Sequence, residues 1–217
     1  MMKSNRNITV LAILLLCLSV LLACAHTEKV LVPPRVDLTP YKAIGIIDFS
    51  STPRDDLCGY VTQHYIQTVQ SAQPGVRFLE LGSKEQVLSR IARKDFDPDA
   101  IRSIGTAYNV DALIFGHLTT TDPKPTLRLS SSLQSLQAGA VVKASLSAKI
   151  WETDSGVILW TNSTAKKKKV AGLRANANGD FKFGASDPED AYGQLVPEMI
   201  YANTADFRSY YEYRKVK

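Results

Sequence analysis

The sequence predicts an α/β (α+β) fold, a mixed sheet flanked by helices, in the order β-α-β-α-α-β, then a β-β hairpin, a second short hairpin and a last helix. Three observations carry this. Two continuous apolar runs, AIGIIDF at residues 43–49 and ALIFGHL at 112–118, have the length and composition of strands buried on both faces. Segments with helical spacing and helix-start signals lie between them, and strands alternating with helices imply a sheet joined by crossovers. Within residues 141–161, Val142, Ala144, Leu146, Ala148 and Ile150 alternate with Lys143, Ser145, Ser147 and Lys149, the period of two that sets one strand face on a core and the other in water.

That last strand is followed by Thr153-Asp154-Ser155-Gly156, small polar residues that tolerate turn angles, and then by Val157, Ile158, Leu159 and Trp160, so the chain doubles back as a hairpin. Earlier, Thr52-Pro53 reads as an N-cap and first-turn proline, with Asp55 and Asp56 placed to favour the helix dipole. Leu57, Val61, Tyr65, Val69 and Ala72 form that helix's buried stripe, Pro74-Gly75 ends it, and residues 76–81 make the second strand. Ser83 and Gln86 match a capping box, opening a helix with Val87, Leu88, Ile91 and Ala92 on its apolar face. Asp97-Pro98-Asp99 starts a third helix, carrying Ile101, Ile104, Ala107 and Tyr108.

After the third strand, TTTDPKP at 119–125 reads as a loop. Residues 127–140 fit a strand through Leu127, Leu129 and Leu133, or a helix through Leu129, Leu133 and Leu136; the choice stays open. Asn178-Gly179 is the turn signal of the second hairpin. Asp187-Pro188 opens the last helix, with Tyr192, Leu195, Val196, Met199 and Ile200 as its stripe and Pro197 inside it predicting a kink or a short break.

At the amino terminus, Lys3 and Arg6 precede an uncharged apolar run over residues 8–22, the layout of a secretory signal. The run ends Leu21-Leu22-Ala23-Cys24, which resembles the lipobox of bacterial lipoproteins. That resemblance implies a signal peptide over 1–23, palmitate and related acyl chains on Cys24, and, with Ala25 rather than Asp next, anchoring in the outer membrane facing the periplasm. Several acyl chains on one residue hold firmly, since each buried methylene contributes about 0.8 kcal/mol. Residues 24–40 hold three prolines and no periodic pattern, so they read as a lipidated flexible tether, with 41–217 as a single periplasmic domain. Loss of Lys3 and Arg6 with the signal takes the formal charge from +5 to +3, too small an excess to imply nucleic acid. Cys17 leaves too and Cys24 takes lipid, so Cys58 stands alone and is expected in the core.

With that order established, residues 43–49 as opening strand, GTAYNVDALIFG at 105–116 as helix into strand, and DSGVILW at 154–160 as turn into strand resemble the CsgG family of curli secretion lipoproteins, with its relatives LpoB, an activator of peptidoglycan synthases, and the amino-terminal domain of TolB. The resemblance implies a non-catalytic binding or accessory component of envelope or surface-structure assembly, with an outer-membrane lipid contact, an envelope protein or peptidoglycan-associated partner, and oligomers as an option. In channel-forming members the segments corresponding to 119–140 and 166–185 extend as membrane hairpins, so a subunit of an oligomeric CsgG-like export channel is the competing expectation. A membrane strand needs about 9–11 residues with an unbroken apolar face, and a cation near mid-bilayer costs about 2–4 kcal/mol. Arg128, Arg174, the serines at 130–132 and the lysines at 166–169 interrupt any such face, which favours the accessory role.

No Gly-x-Ser-x-Gly, P-loop, His-Glu-x-x-His or paired-cysteine motif occurs, so no enzyme, cofactor or metal is expected. A hydrolase would have to use Cys58 or His117. Cys58 and His64, six apart on a helix, fall on largely opposite sides. Asp48 and His117 would converge at strand ends, where open sheets bind ligands, but a solvated Asp beside a surface His is the simpler account. Lys166, Lys167, Lys168 and Lys169 concentrate positive potential and form the candidate contact for an anionic partner, against the plainer reading of a solvated loop. Core packing accounts for Trp151 and Trp160.

Overall fold

The computed structural model describes residues 27–129, 135–176, 181–185 and 188–215. The order of elements is β1 (Thr27–Val32), β2 (Ile44–Ile47), β3 (Ser50–Thr52), α1 (Cys58–Ala72), β4 (Phe78–Gly82), α2 (Lys84–Arg90), α3 (Pro98–Tyr108), β5 (Ala112–Leu129), β6 (Ser135–Glu152), β7 (Ile158–Asn176), β8 (Phe181–Ala185), α4 (Pro188–Asn203) and β9 (Tyr210–Lys215). These fall into two units, residues 34–208 and a smaller one of 27–33 with 209–215.

The larger unit is the expected mixed sheet flanked by helices, with strand order β4-β2-β5-β6-β7-β8 and β3 also paired to β5. β2 runs parallel to β4 and β5, with α1 in the connection from β2 to β4 and α2–α3 in that from β4 to β5, while β5 to β8 are antiparallel. Ile44, Ile46, Ala112, Ile114 and, from β6, Val142, Ala144, Leu146, Ala148 and Ile150 pack with Tyr65, Leu195 and Met199 of α1 and α4. Ile47 and Leu113 pack on the opposite face with Leu81, Val87, Ile101 and Ile104, in a smaller core beneath α2 and α3. Each Val, Leu, Ile or Met among them, fully buried, contributes about 1.5–3 kcal/mol relative to exposure.

Local signals set most helix ends. The Ser83 hydroxyl accepts from Gln86 N at 3.3 Å while the Gln86 side chain accepts from Ser83 N at 3.1 Å, closing the capping box. Asp97 caps α3 through Ala100 N at 2.8 Å, and Asn109 ends it in the left-handed region. α4 continues through Pro197 with its whole expected stripe buried. Helix α1 starts later than expected: Ser50–Thr52 pairs with His117–Thr119 as β3, Asp55–Leu57 forms a 3-10 turn, and the α-helix begins at Cys58. Thr52 thus ends a strand two residues before the 3-10 turn, whose cap position is Arg54 with no side-chain cap bond, so the Thr52-Pro53 signal does not open the helix.

Three further expectations change. Residues 119–125 are strand, because β5 runs on through TTTDPKP to Leu129 against β6, with a register shift between Thr121 and Lys124. Pro123 lies in that bulge and Pro125 just beyond it, where the described pairings of β5 are to β6 alone, and a bulge or an edge is where a strand tolerates a residue with no donor. The described parts of 127–140 are strand as well. Where a flexible tether is expected, residues 27–32 form β1, paired residue for residue with β9, and Leu38 is fully buried in the larger unit. The proposed signal, Cys24, the Asn178-Gly179 turn and Asp187 lie outside the described residues, although β7 and β8 on either side of that turn do pair antiparallel.

Candidate functional site

At the carboxyl end of β2 the chain leaves toward β4 on one side and reaches β5 on the other, a topological switch point of the kind where open sheets hold ligands. A cleft of about 550 Å³ opens there, lined among others by Asp48, Ser50, Cys58, Ser83, Glu85 and Phe115. Partial burial, with the charge of Glu80, pushes the Asp48 carboxyl up from its ordinary range. His117 is not part of that lining; it stands opposite Ser50 in the β3–β5 ladder, its Nδ1 2.7 Å from the Ser50 hydroxyl. Burial first, and then Asp55 and Asp48, push the Cys58 thiol up, against hydrogen bonds that pull it down. A nucleophilic cysteine needs the opposite shift. His64 packs its ring on Tyr60 at 4.3 Å. Among the described residues no group of three or more His, Cys, Asp or Glu could hold a metal ion.

The lysine run lies in β7, where successive residues alternate between faces. Lys166 and Lys168 pair with Ala144 and Val142, on the face that carries α4, and Lys168 donates to the Gln194 side chain. Lys167 and Lys169 pair with Lys143 and Val141 on the other face. The run therefore serves two surfaces, two lysines each.

The second of these surfaces is open. At one end Phe96 meets Phe115 edge to face and Phe115 stacks with Trp151, ring centroids 4.6 and 6.3 Å apart, all three half-buried against the smaller core. Beyond them the register sets out successive rows: Phe115–Lys149–Thr161, His117–Ser147–Ser163, Thr119–Ser145–Ala165, Thr121–Lys143–Lys167, and Val141 with Lys169. Lys143, Lys149, Lys167 and Lys169 are exposed, no carboxylate stands in these rows, and no salt bridge to any of the four is found among the described residues. A shallow hollow of about 480 Å³ lies over Thr119, Thr121, Lys143, Ser145, Lys166 and Lys167.

Farther out the four antiparallel strands keep a strict order. Leu129–Leu136–Ala175–Phe181, Leu127–Ala138–Leu173–Phe183 and Pro125–Ala140–Ala171–Ala185 are apolar rows, and between them lie Arg128–Gln137–Arg174–Lys182 and Thr126–Gly139–Gly172–Gly184. This is a period of two across four strands, where the sequence left residues 127–140 undecided and read neither 119–140 nor 166–185 as having an unbroken apolar face.

No family model matches the chain, and neither does any curated protein. Solved structures do. The PelC dodecamer from Paraburkholderia phytofirmans is 8% identical, with 84% of this chain and 98% of that one covered and a TM-score of 0.43. Lipoprotein GNA1162 from Neisseria meningitidis is 14% identical, with 74% and 96% covered and a TM-score of 0.35. The LpoB carboxyl-terminal domain from Salmonella enterica is 7% identical, with 62% and 84% covered and a TM-score of 0.36.

Of the residues singled out from sequence, the structure thus keeps Asp48 and His117 in separate settings and divides the lysine run between two faces. Cys24 lies outside the described residues. Lys143 and Lys149 were legible as the wet face of a strand, yet only the register places Lys143 beside Lys167.

Proposed function

We propose that this protein is an outer-membrane lipoprotein, acylated at Cys24 and facing the periplasm, that works by binding rather than catalysis as an accessory component of envelope or surface-structure assembly. The observation that supports the binding role is the antiparallel ledge of β5–β7, which carries Lys143, Lys149, Lys167 and Lys169 with no salt-bridge partner among the described residues. The Leu21–Cys24 motif supports the location. Lysines act at short range here, since charges are screened beyond about 8 Å at physiological salt. A lipid anchor at Cys24 compensates for that by holding the protein near its partner and raising effective concentration. The partner class is an envelope protein or a peptidoglycan-associated component.

Labelled palmitate should enter the wild-type protein and not Cys24→Ala, which should leave the membrane fraction. Crosslinking in intact cells should capture an envelope component, with lower yield from Lys167→Gln/Lys169→Gln. Protein recovered from the cytosol with residues 1–23 attached and no acyl group would overturn the reading.

The alternating outer rows favour a second reading, a subunit of an oligomeric export channel. Among the described residues these five rows span about 17 Å along the strands, against an apolar band of about 25 Å in membrane barrels, and this supports keeping the channel as the second reading. Ring-shaped oligomers with stable conductance in planar bilayers would reverse the order.

A further inference from the structure

We infer that the open face of β5–β6–β7 is the docking surface for an extended acidic glycan, a sugar chain bearing carboxylates or phosphates and laid along the strands. The inference deepens the binding role proposed above and rests on it, but it does not depend on the lipid anchor.

Charge comes first. Lys143 and Lys167 occupy directly opposed positions, Lys169 follows one row out and Lys149 lies at the inner end, all exposed, with no carboxylate in their rows. Like charges directly opposite destabilise a ladder, and a bound anion between them removes the repulsion. Complementarity therefore calls for a negative partner.

The residues between the lysines decide which kind. Thr119, Ser145, Ser147, Thr161 and Ser163 offer hydroxyls that both donate and accept, the same hydrogen-bonding character as sugar hydroxyls. From the Lys149 row to the Lys143 row is about 20 Å of strand, room for several sugar rings. Small side chains leave the surface shallow, so a flexible polymer can lie close to it along the hollow over Ser145 and Lys167.

Two other anionic partners fit less well. A bilayer surface is held best where cations flank apolar side chains that enter the headgroup boundary, and beyond Phe115 these rows hold only Val141 of that kind, half-buried. A protein interface is centred on aromatic or aliphatic residues and is depleted in lysine, the reverse of this composition. The glycan is the occupant that uses both the charges and the hydroxyls.

The test uses the full chain in detergent micelles with fluorescent polygalacturonate oligomers as probe, neutral dextran of the same length as control, and phosphatidylglycerol and phosphatidylcholine vesicles in parallel. Polygalacturonate should bind and dextran should not. Lys143→Gln/Lys167→Gln should weaken binding tenfold or more, and Ser145→Val/Ser147→Val should weaken it severalfold without any change of charge. Lys42→Gln, exposed just before the amino end of β2 and outside these rows, should bind like wild type. Melting curves establish that each variant is folded. Absent polygalacturonate binding, equal binding by the lysine variant, or capture of phosphatidylglycerol vesicles alone would each overturn the inference. A partner still crosslinked in cells would then leave the broader binding role standing.

Discussion

Lys143 of β6 and Lys167 of β7 stand directly opposite one another across an antiparallel ladder, both exposed. Opposed charges at such a position stabilise a sheet by roughly 0.2–1 kcal/mol, and like charges cost a similar amount. Lys167→Glu should therefore stabilise the fold by about 0.5–1 kcal/mol, read as a higher urea midpoint at unchanged slope, while abolishing capture of acidic glycans. A variant that gained stability and kept that capture would separate this pair from the binding face.

Gln73 is the buried clasp of the larger unit. Its side-chain oxygen accepts from Leu38 N at 2.8 Å, and its amide donates to the carbonyls of Val36 at 2.6 Å and Phe207 at 3.0 Å. Gln73→Leu orphans one backbone donor and two acceptors, each costing about 1–3 kcal/mol where water cannot reach. The expected loss is about 3–5 kcal/mol by denaturant unfolding, with hydrogen exchange at Leu38 accelerated far more than at Ile114.

Gly116 has no room for a side chain. A Cβ there would strike the Phe49 ring and the Ser147 carbonyl oxygen, one of which is backbone and cannot yield. Gly116→Ala should cost about 1–3 kcal/mol, as overpacking does. Pairing it with Phe49→Leu should recover only part of that loss, because Ser147 remains; full recovery would show that the ring alone forbids the methyl.

Asp48 should destabilise the fold when ionised. Its carboxyl is raised by burial and by Glu80, so the folded state holds the proton to higher pH than the unfolded chain. The penalty is present above the folded pKa and absent below the ordinary value of 3.8. Asp48→Asn should thus melt higher than wild type at neutral pH, with the difference shrinking on acidification and vanishing near pH 3. A difference independent of pH would assign the effect to packing instead.

The fold was legible wherever the code is local. Ser83 with Gln86 and Asp97 with Pro98 announce helix starts because the groups that satisfy each other lie within four residues. The alternation from Val142 to Ile150 marks a half-buried strand for the same reason, and the turn at Thr153 to Gly156 follows it. The Thr52-Pro53 signal misled, since pairing of Ser50–Thr52 with β5 overrode a local preference.

What the sequence by itself determined is the order of elements from β2 to α4 apart from β3, the two-sided burial of β2 and of the inner part of β5, and the wet face of β6, all consequences of which residues avoid water at which spacing. Only the tertiary structure decided that β1 pairs with β9, that β5 runs through its prolines, that Lys143 meets Lys167, and that Leu127, Ala138, Leu173 and Phe183 fall in one row. Register is a relation between distant segments, and a shift of one residue would exchange every side chain between faces, so no single strand's sequence carries it.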